Sequence, residues 1–273
     1  MNEPILECKD LSVSFVKEGR VIKAVDGVSL FVERGECFGL VGGSGCGKST
    51  LARLVTRLKD PDSGSIQVER QEATKLKGKA LREYYRKVQM VFQDPVGSFD
   101  PRMKIGQSIA EVLRNFGLAE KGRLKRAVNE SLEMVGLNPE HADRLPTQIS
   151  GGQCQRAALA KAVAVRPKLL ILDEVTSALD VSVQAQIVSL LRQLQAELNM
   201  AFIFISHDLS LVRCFATRLA VMHDGQVVET GPVERVISSP QHPHTKLLLS
   251  SLFPIPKEAD SFAPVPWPEA PSL

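Results

Sequence analysis

The sequence predicts an α/β protein with a mostly parallel sheet, an antiparallel β subdomain and an inserted helical subdomain. Three observations carry that prediction. The runs Cys37-Phe38-Gly39-Leu40-Val41, Leu169-Leu170-Ile171-Leu172 and Ala201-Phe202-Ile203-Phe204-Ile205 are continuously apolar, as strands buried on both faces are. An amphipathic helical pattern over 183–198 joins the last two runs into a β-α-β unit. The first run leads through Gly42-Gly43-Ser44-Gly45-Cys46-Gly47-Lys48-Ser49-Thr50 into a helical pattern that reaches Val55.

Read as G-x-x-x-x-G-K-[ST], that connection is a phosphate-binding loop between a buried strand and a helix. Glycines let backbone N–H groups turn inward around an anion, and the helix adds its free N–H groups and positive dipole end. Lys48 is placed to reach β- and γ-phosphates, and the Ser49 hydroxyl to ligate Mg²⁺. A chance glycine-rich turn would match in roughly one chain in a hundred of this length. The dinucleotide pattern G-x-G-x-x-G does not fit, because Lys48 stands where its third glycine would be. The loop predicts a nucleoside triphosphate site.

From the N-terminus, residues 4–34 read as β-rich, alternating in Leu11-Ser12-Val13-Ser14-Phe15-Val16 and again in Val28-Ser29-Leu30-Phe31-Val32. Turn signals at Glu18-Gly19 and Asp26-Gly27 divide the stretch into an antiparallel sheet. Phe15 fits either the core or a projecting ring on which adenine stacks, a contact worth about 1–3 kcal/mol by analogy with single-stranded bases. Asp60-Pro61-Asp62-Ser63-Gly64 is a turn before the short strand 65–68. Lys75 to Lys87 reads as a solvated, basic helix face. Val88 to Phe92 is a buried-strand candidate that places Gln93 at its C-terminal end.

Helical spacing in 109–113 and 127–135, the latter closed by Gly136, marks a helical insertion between two core strands. Ser150-Gly151-Gly152-Gln153 then opens an alanine-rich helix that Arg166-Pro167 stops. A capping box accounts for Ser150 and Gln153. It does not account for two glycines in a first turn, each costing about 1 kcal/mol of helix stability. Bare backbone at a helix N-terminus fits close approach of a ligand. The segments 219–222 and 226–229 form a hairpin around Asp224-Gly225. The expected plan is one domain over 1–253, with its core in 1–95 and 161–235, helical subdomain in 96–160 and C-terminal helix in 236–253. A proline-rich mobile tail, 254–273, carries Trp267.

With 44% hydrophobic and 24% charged residues the composition is that of a soluble globular protein, and a formal charge of +3 makes no case for nucleic acid. Cysteines at 8, 37, 46, 154 and 214 form no metal spacing and read as reduced cytosolic thiols. The start lacks the form of a signal peptide, and no apolar stretch has membrane-spanning length.

Open parallel sheets bind ligands at the carboxyl ends of their strands. Four such ends here carry phosphate chemistry: Gly42–Ser49, Gln93, Asp173-Glu174 and His207. Taken singly, Gln93 fits a loop amide, Asp173-Glu174 a surface pair and His207 a helix cap; together they fit a triphosphate. Asp173 would hold the Mg²⁺ shell and Glu174 would polarise the attacking water. His207 would contact the γ-phosphate, and Gln93 the metal and the water. The reaction expected is ATP hydrolysis, driven by positioning and electrostatics.

These motifs in this order, with Ser177-Ala178-Leu179-Asp180, resemble those of ATP-binding subunits of ABC transporters over roughly residues 5–250. The Ser-Gly-Gly-Gln just upstream of the Asp-Glu strand sets that family apart from other phosphate-loop ATPases. The resemblance implies a phosphate-loop ATPase core and two ATPs sandwiched in a head-to-tail dimer. In that dimer Ser150, Gly151, Gly152 and Gln153 serve the opposite subunit's ATP, and Asp180 lies at the seam. It also implies that Phe15 stacks on adenine. Phe92-Gln93-Asp94-Pro95, Ser98-Phe99-Asp100-Pro101-Arg102 and His242-Pro243-His244-Thr245 are similar to segments of the peptide and nickel importer group. That likeness implies a related but distinct ATPase as partner, with a homodimer as the alternative. It further implies two transmembrane permeases at the cytoplasmic face of the inner membrane, served indirectly by a substrate-binding protein, with the segment after Gln93 facing the permease.

Cys154, Ile149 and Val175 depart from residues common around these motifs, and the tail lacks the cysteine cluster of some peptide-importer ATPases. Peptide and nickel or metal-chelate substrates therefore stay open. The rival readings are a soluble ABC ATPase acting on ribosomes or DNA, which would carry two cassettes or a long coiled coil, and an exporter subunit.

Overall fold

The structure, a computed structural model, describes residues 3–17, 19–120, 122–177 and 179–252. The expected tail with Trp267, and Glu18 of the first turn signal, lie outside the described residues.

Strands β1 (Pro4–Lys17) and β2 (Arg20–Glu33) form a long antiparallel hairpin. β3 (Cys37–Gly42) leads into α1 (Lys48–Val55), and β4 (Ser63–Val68) and β5 (Gln71–Glu72) complete the first sheet, ordered β2-β1-β4-β5. α2 (Gly78–Lys87) precedes β6 (Val88–Val91). The insertion follows as α3 (Ile105–Asn115), α4 (Leu124–Glu133), two 3-10 turns and α5 (Gly151–Val163). β7 (Leu169–Asp173), α6 (Val181–Leu198) and β8 (Ala201–Ile205) make the expected β-α-β unit. α7 (Leu209–Phe215), β9 (Arg218–His223), β10 (Gln226–Pro232), α8 (Val233–Ser238) and α9 (Pro243–Leu252) follow.

The second sheet runs β10-β9-β3-β8-β7-β6, parallel throughout except for β10 on β9. Strand alternation splits its side chains between two cores. Phe202 and Phe204 face the helical side with Leu170, Leu172 and Leu191, whereas Ile203 and Ile205 face the first sheet and α1 with Leu6, Val13 and Leu51. Burial on both faces is why β3, β7 and β8 read as unbroken apolar runs rather than alternating ones.

Two expectations are corrected. Asp26-Gly27 is a bulge inside β2 and not a turn: Leu11 and Val13 pair with Val28 and Val25, which leaves one extra residue on β2. Gly27, at φ 64, takes the left-handed conformation the bulge needs, and its N–H donates to Ser12 Oγ. The stretch 236–253 is not one helix, because α8 ends at Ser238 and α9 begins at Pro243. Gly136 does close its helix, in a Schellman motif: Gly136 N–H donates to Glu133 O and Leu137 N–H to Leu132 O.

Candidate functional site

The phosphate loop is clamped from outside by backbone. A Cβ on Gly42 would stand 2.3 Å from Met222 O, and one on Gly47 2.2 Å from Ala24 O, at φ values of 152 and 109 that favour glycine. The β9–β10 turn also reaches the loop, with Gly225 N–H donating to Cys46 O over 3.1 Å. Gly47 is the N-cap of α1 and brings no side chain, so the first-turn N–H groups of Lys48, Ser49 and Thr50 have no capping partner. Ser44 and Gly45 are exposed at the loop's tip, and Gly43 is half-buried. Lys48 is 5% exposed; its ammonium donates to Gly42 O and Gly43 O, each at 2.9 Å, and lies 3.7 Å from Cys46 Sγ.

Asp173 ends β7 directly opposite. Its Oδ1 accepts from Ser49 Oγ at 3.1 Å, and only 6% of the residue is exposed. Burial raises its carboxyl pKa, helped by the neighbouring Glu174 charge and opposed by the Ser49 bond and by Arg53 and Lys48.

Glu174 joins the remaining strand ends. Its Oε2 accepts from Gln93 Nε2 at 2.9 Å and stands 3.8 Å from His207 Nδ1. Gln93 is thus tied into the site, and Asp173-Glu174 is not a surface pair. The cap of α7 is Asp208, which accepts from Ser210 N–H and Leu211 N–H, so His207 is free of that duty. Glu174 takes φ 49, a left-handed conformation that costs a non-glycine residue about 1–2 kcal/mol. Ser177 holds it there, its N–H and its hydroxyl both donating to Glu174 O.

Phe15 projects, 42% exposed, with Lys59 Nζ 5.4 Å from its ring centroid; it is not a core residue. Ser150 caps α5 in the expected box with Gln153, whose Oε1 accepts from Ser150 N–H at 3.0 Å. Gly151 has open space around it, and Gly152 packs against Val183 of α6. Asp180, at the N-cap of α6, makes no side-chain cap bond. Among the described residues no hydrogen bond joins Ser150–Gln153 or Asp180 to the phosphate loop. The structure therefore holds two separate clusters: strand ends around Glu174, and the helix starts of α5 and α6.

Sequence reading missed the outer clamp of Ala24, Met222 and Gly225, since these contribute backbone atoms from strands remote in the chain. It also missed Ser177 as the support of Glu174. Grooves of about 700 and 730 Å³ open on the helical insertion and carry none of the candidate residues, so chemistry and not concavity locates the site.

A family model described as ABC transporter matches residues 25–177. The chain is 46% identical over 259 residues to the oligopeptide transport ATP-binding protein OppF of Bacillus subtilis (strain 168), covering 94% of this chain and 84% of that one. It is 45% identical over 258 residues to the dipeptide transport ATP-binding protein DppF of Lactococcus lactis subsp. cremoris (strain MG1363), covering 92% and 83%. Among solved structures it is similar to the dimeric, post-hydrolysis ATP-binding cassette MJ0796 bound to ADP and Pi. There the TM-score is 0.76 at 27% identity, over 84% of this chain and 98% of that one.

Proposed function

The chain belongs to the ABC transporter family as an ATP-binding, ATP-hydrolysing subunit, and from that premise we propose that it powers a peptide importer from the cytoplasmic face of the inner membrane. Its similarity to oligopeptide and dipeptide transport ATP-binding proteins favours peptides over nickel or metal chelates.

One observation carries the mechanism: two side-chain bonds converge on the C-terminal end of β7, Ser49–Asp173 from the start of α1 and Gln93–Glu174 from the end of the adjacent strand β6. Lys48 and the uncapped first turn of α1 bind the phosphates, and Phe15 stacks on adenine. Asp173 Oδ1 and Ser49 Oγ are hard oxygen donors that fit Mg²⁺. Two protein donors would leave the rest of such an ion's shell to phosphate oxygens and water. When bound, Mg²⁺ neutralises charge on the β- and γ-oxygens. Glu174 polarises the attacking water, Gln93 and His207 fix where that water and the γ-phosphate sit, and the strained backbone keeps the carboxylate pre-aimed.

Ser150–Gln153 and Asp180 stand apart from this cluster, and their task is to close over ATP held by a second, paralogous subunit, as dimeric cassettes do. Beyond Gln93, a pocket of about 160 Å³ lined in part by Met90, Phe92, Val112 and Lys161 opens beside exposed Phe92 and Val96. An apolar surface there fits a permease contact.

The test is ATPase activity of the chain assembled with its permeases in liposomes, with a binding protein delivering peptides or nickel chelates. Stimulation by peptides supports the reading. Stimulation by the chelate alone overturns the peptide assignment, and activity indifferent to any delivered substrate overturns the importer.

A further inference from the structure

Arg156 stands six residues after Ser150 on α5, and Gln186 stands six residues after Asp180 on α6. The Arg156 guanidinium donates from Nη2 to Gln186 Oε1 at 3.1 Å and from Nη1 to Val135 O at 2.9 Å. Val135 lies two residues past the end of α4, beside its C-terminus, where carbonyls lack intrahelical partners and the dipole is negative, so a cation is favoured. Gly136 leaves room for this approach: a Cβ there would lie 2.9 Å from Nη1. One turn nearer the helix starts, Gly152 meets Val183, whose Cγ1 would be 3.0 Å from a Cβ at 152. The starts of α5 and α6 are thus joined at two levels, by a close contact and by a hydrogen bond, and the same guanidinium reaches the turn that follows α4.

We propose that Arg156 is a positioning residue for the half-site this chain lends to its partner: by bridging Gln186 and Val135 it fixes the Ser150–Gly152 turn against Asp180. The inference rests on the ATP-sandwich reading above. The planar guanidinium holds its two donors in a fixed fork that matches these two acceptors, and a lysine ammonium in its place has no such pre-set geometry. Displacing the turn leaves this chain's own phosphate loop untouched, but mis-sets the groups that meet the partner's γ-phosphate. Small misplacements of that kind cost turnover rather than nucleotide affinity.

The experiment compares Arg156→Lys, Gln186→Ala and Gln186→Glu in the full-length chain assembled with its partner subunits, reading ATP affinity by equilibrium binding and kcat and KM by turnover. Arg156→Lys and Gln186→Ala are expected to keep ATP affinity within twofold and to lower kcat three- to tenfold. Their combination should cost no more than Arg156→Lys alone. Gln186→Glu, which keeps an acceptor for the guanidinium, should stay within twofold of the unmodified protein. Gln186→Ala with unaltered kcat overturns the proposal, as does a loss in Gln186→Glu equal to that in Gln186→Ala. Gln186 is exposed, so its variants carry the test even where Arg156→Lys does not fold. Failure of the unmodified chain to form an ATP-dependent dimer with its partner subunit, read by size-exclusion chromatography, would overturn the sandwich reading instead.

Discussion

Gln93 donates from Nε2 to the Glu174 carboxylate over 2.9 Å, so the edge strand β6 and its neighbour β7 meet through one side-chain bond at their C-terminal ends. The carboxylate is thereby aimed before any substrate arrives, and its backbone is held at φ 49 by Ser177. Glu174→Gln keeps an acceptor for Gln93 and removes only the basic oxygen. Turnover should fall by about 10²-fold or more while ATP binding is retained, measured by single-turnover hydrolysis and equilibrium binding. Turnover equal to that of the unmodified chain would remove Glu174 as the group that polarises water. Glu174→Asn should lose turnover too, yet raise the melting temperature, because asparagine tolerates the left-handed region better.

Why these residues were legible before any coordinates is a matter of period and placement. β3, β7 and β8 are buried on both faces, so each read as an unbroken apolar run, and the residue after each run had to stand at the sheet's ligand-binding edge. The Ser150 cap was equally local, needing only four consecutive residues. Asp26-Gly27 misled because the same left-handed glycine serves a turn and a bulge, and only pairing with Leu11 and Val13 distinguishes them. The outer clamp on the phosphate loop was illegible for a different reason. Ala24 O, Met222 O and Gly225 N–H are backbone atoms, and no side-chain type announces them.

The thiols offer a check on the loop that is independent of catalysis. Burial raises the pKa of Cys8, Cys37 and Cys154, leaving them inert, whereas Cys214 is exposed and Cys46, 7% exposed, lies 3.7 Å from the Lys48 ammonium. In a Cys214→Ser background, iodoacetamide should inactivate slowly and in step with modification of Cys46, read by peptide mass mapping. Saturating MgATP should protect Cys46. Equal labelling with and without nucleotide would mean that the loop does not enclose the phosphates.

The C-terminal helix supplies a pH dependence. His244 of α9 stacks on His223 of β9 with ring centroids 3.6 Å apart and planes 15° from parallel, and its Nε2 is buried with no hydrogen-bond partner. Burial lowers its pKa from the usual 6.5, as do the His223 and His242 charges, while Asp224 opposes them. The backbone N–H of His244 also donates to His242 Nδ1 at 3.2 Å, and Glu229 accepts from the backbone N–H groups of His242 and Gln241, which docks α9 on the hairpin. The unfolded chain binds this proton near pH 6.5 and the folded chain only at lower pH. The stability from His244 is therefore whole above 6.5 and falls as pH drops from 6.5 toward the lowered folded value. Melting temperature measured from pH 8 to pH 5 should decline less steeply in His244→Phe, which keeps a stacking ring without the proton. The same slope in both proteins would show that His244 does not titrate in this way. Because the turn beyond His223 donates Gly225 N–H to Cys46 O, the acid-side loss should also weaken ATP binding in the unmodified chain more than in the variant.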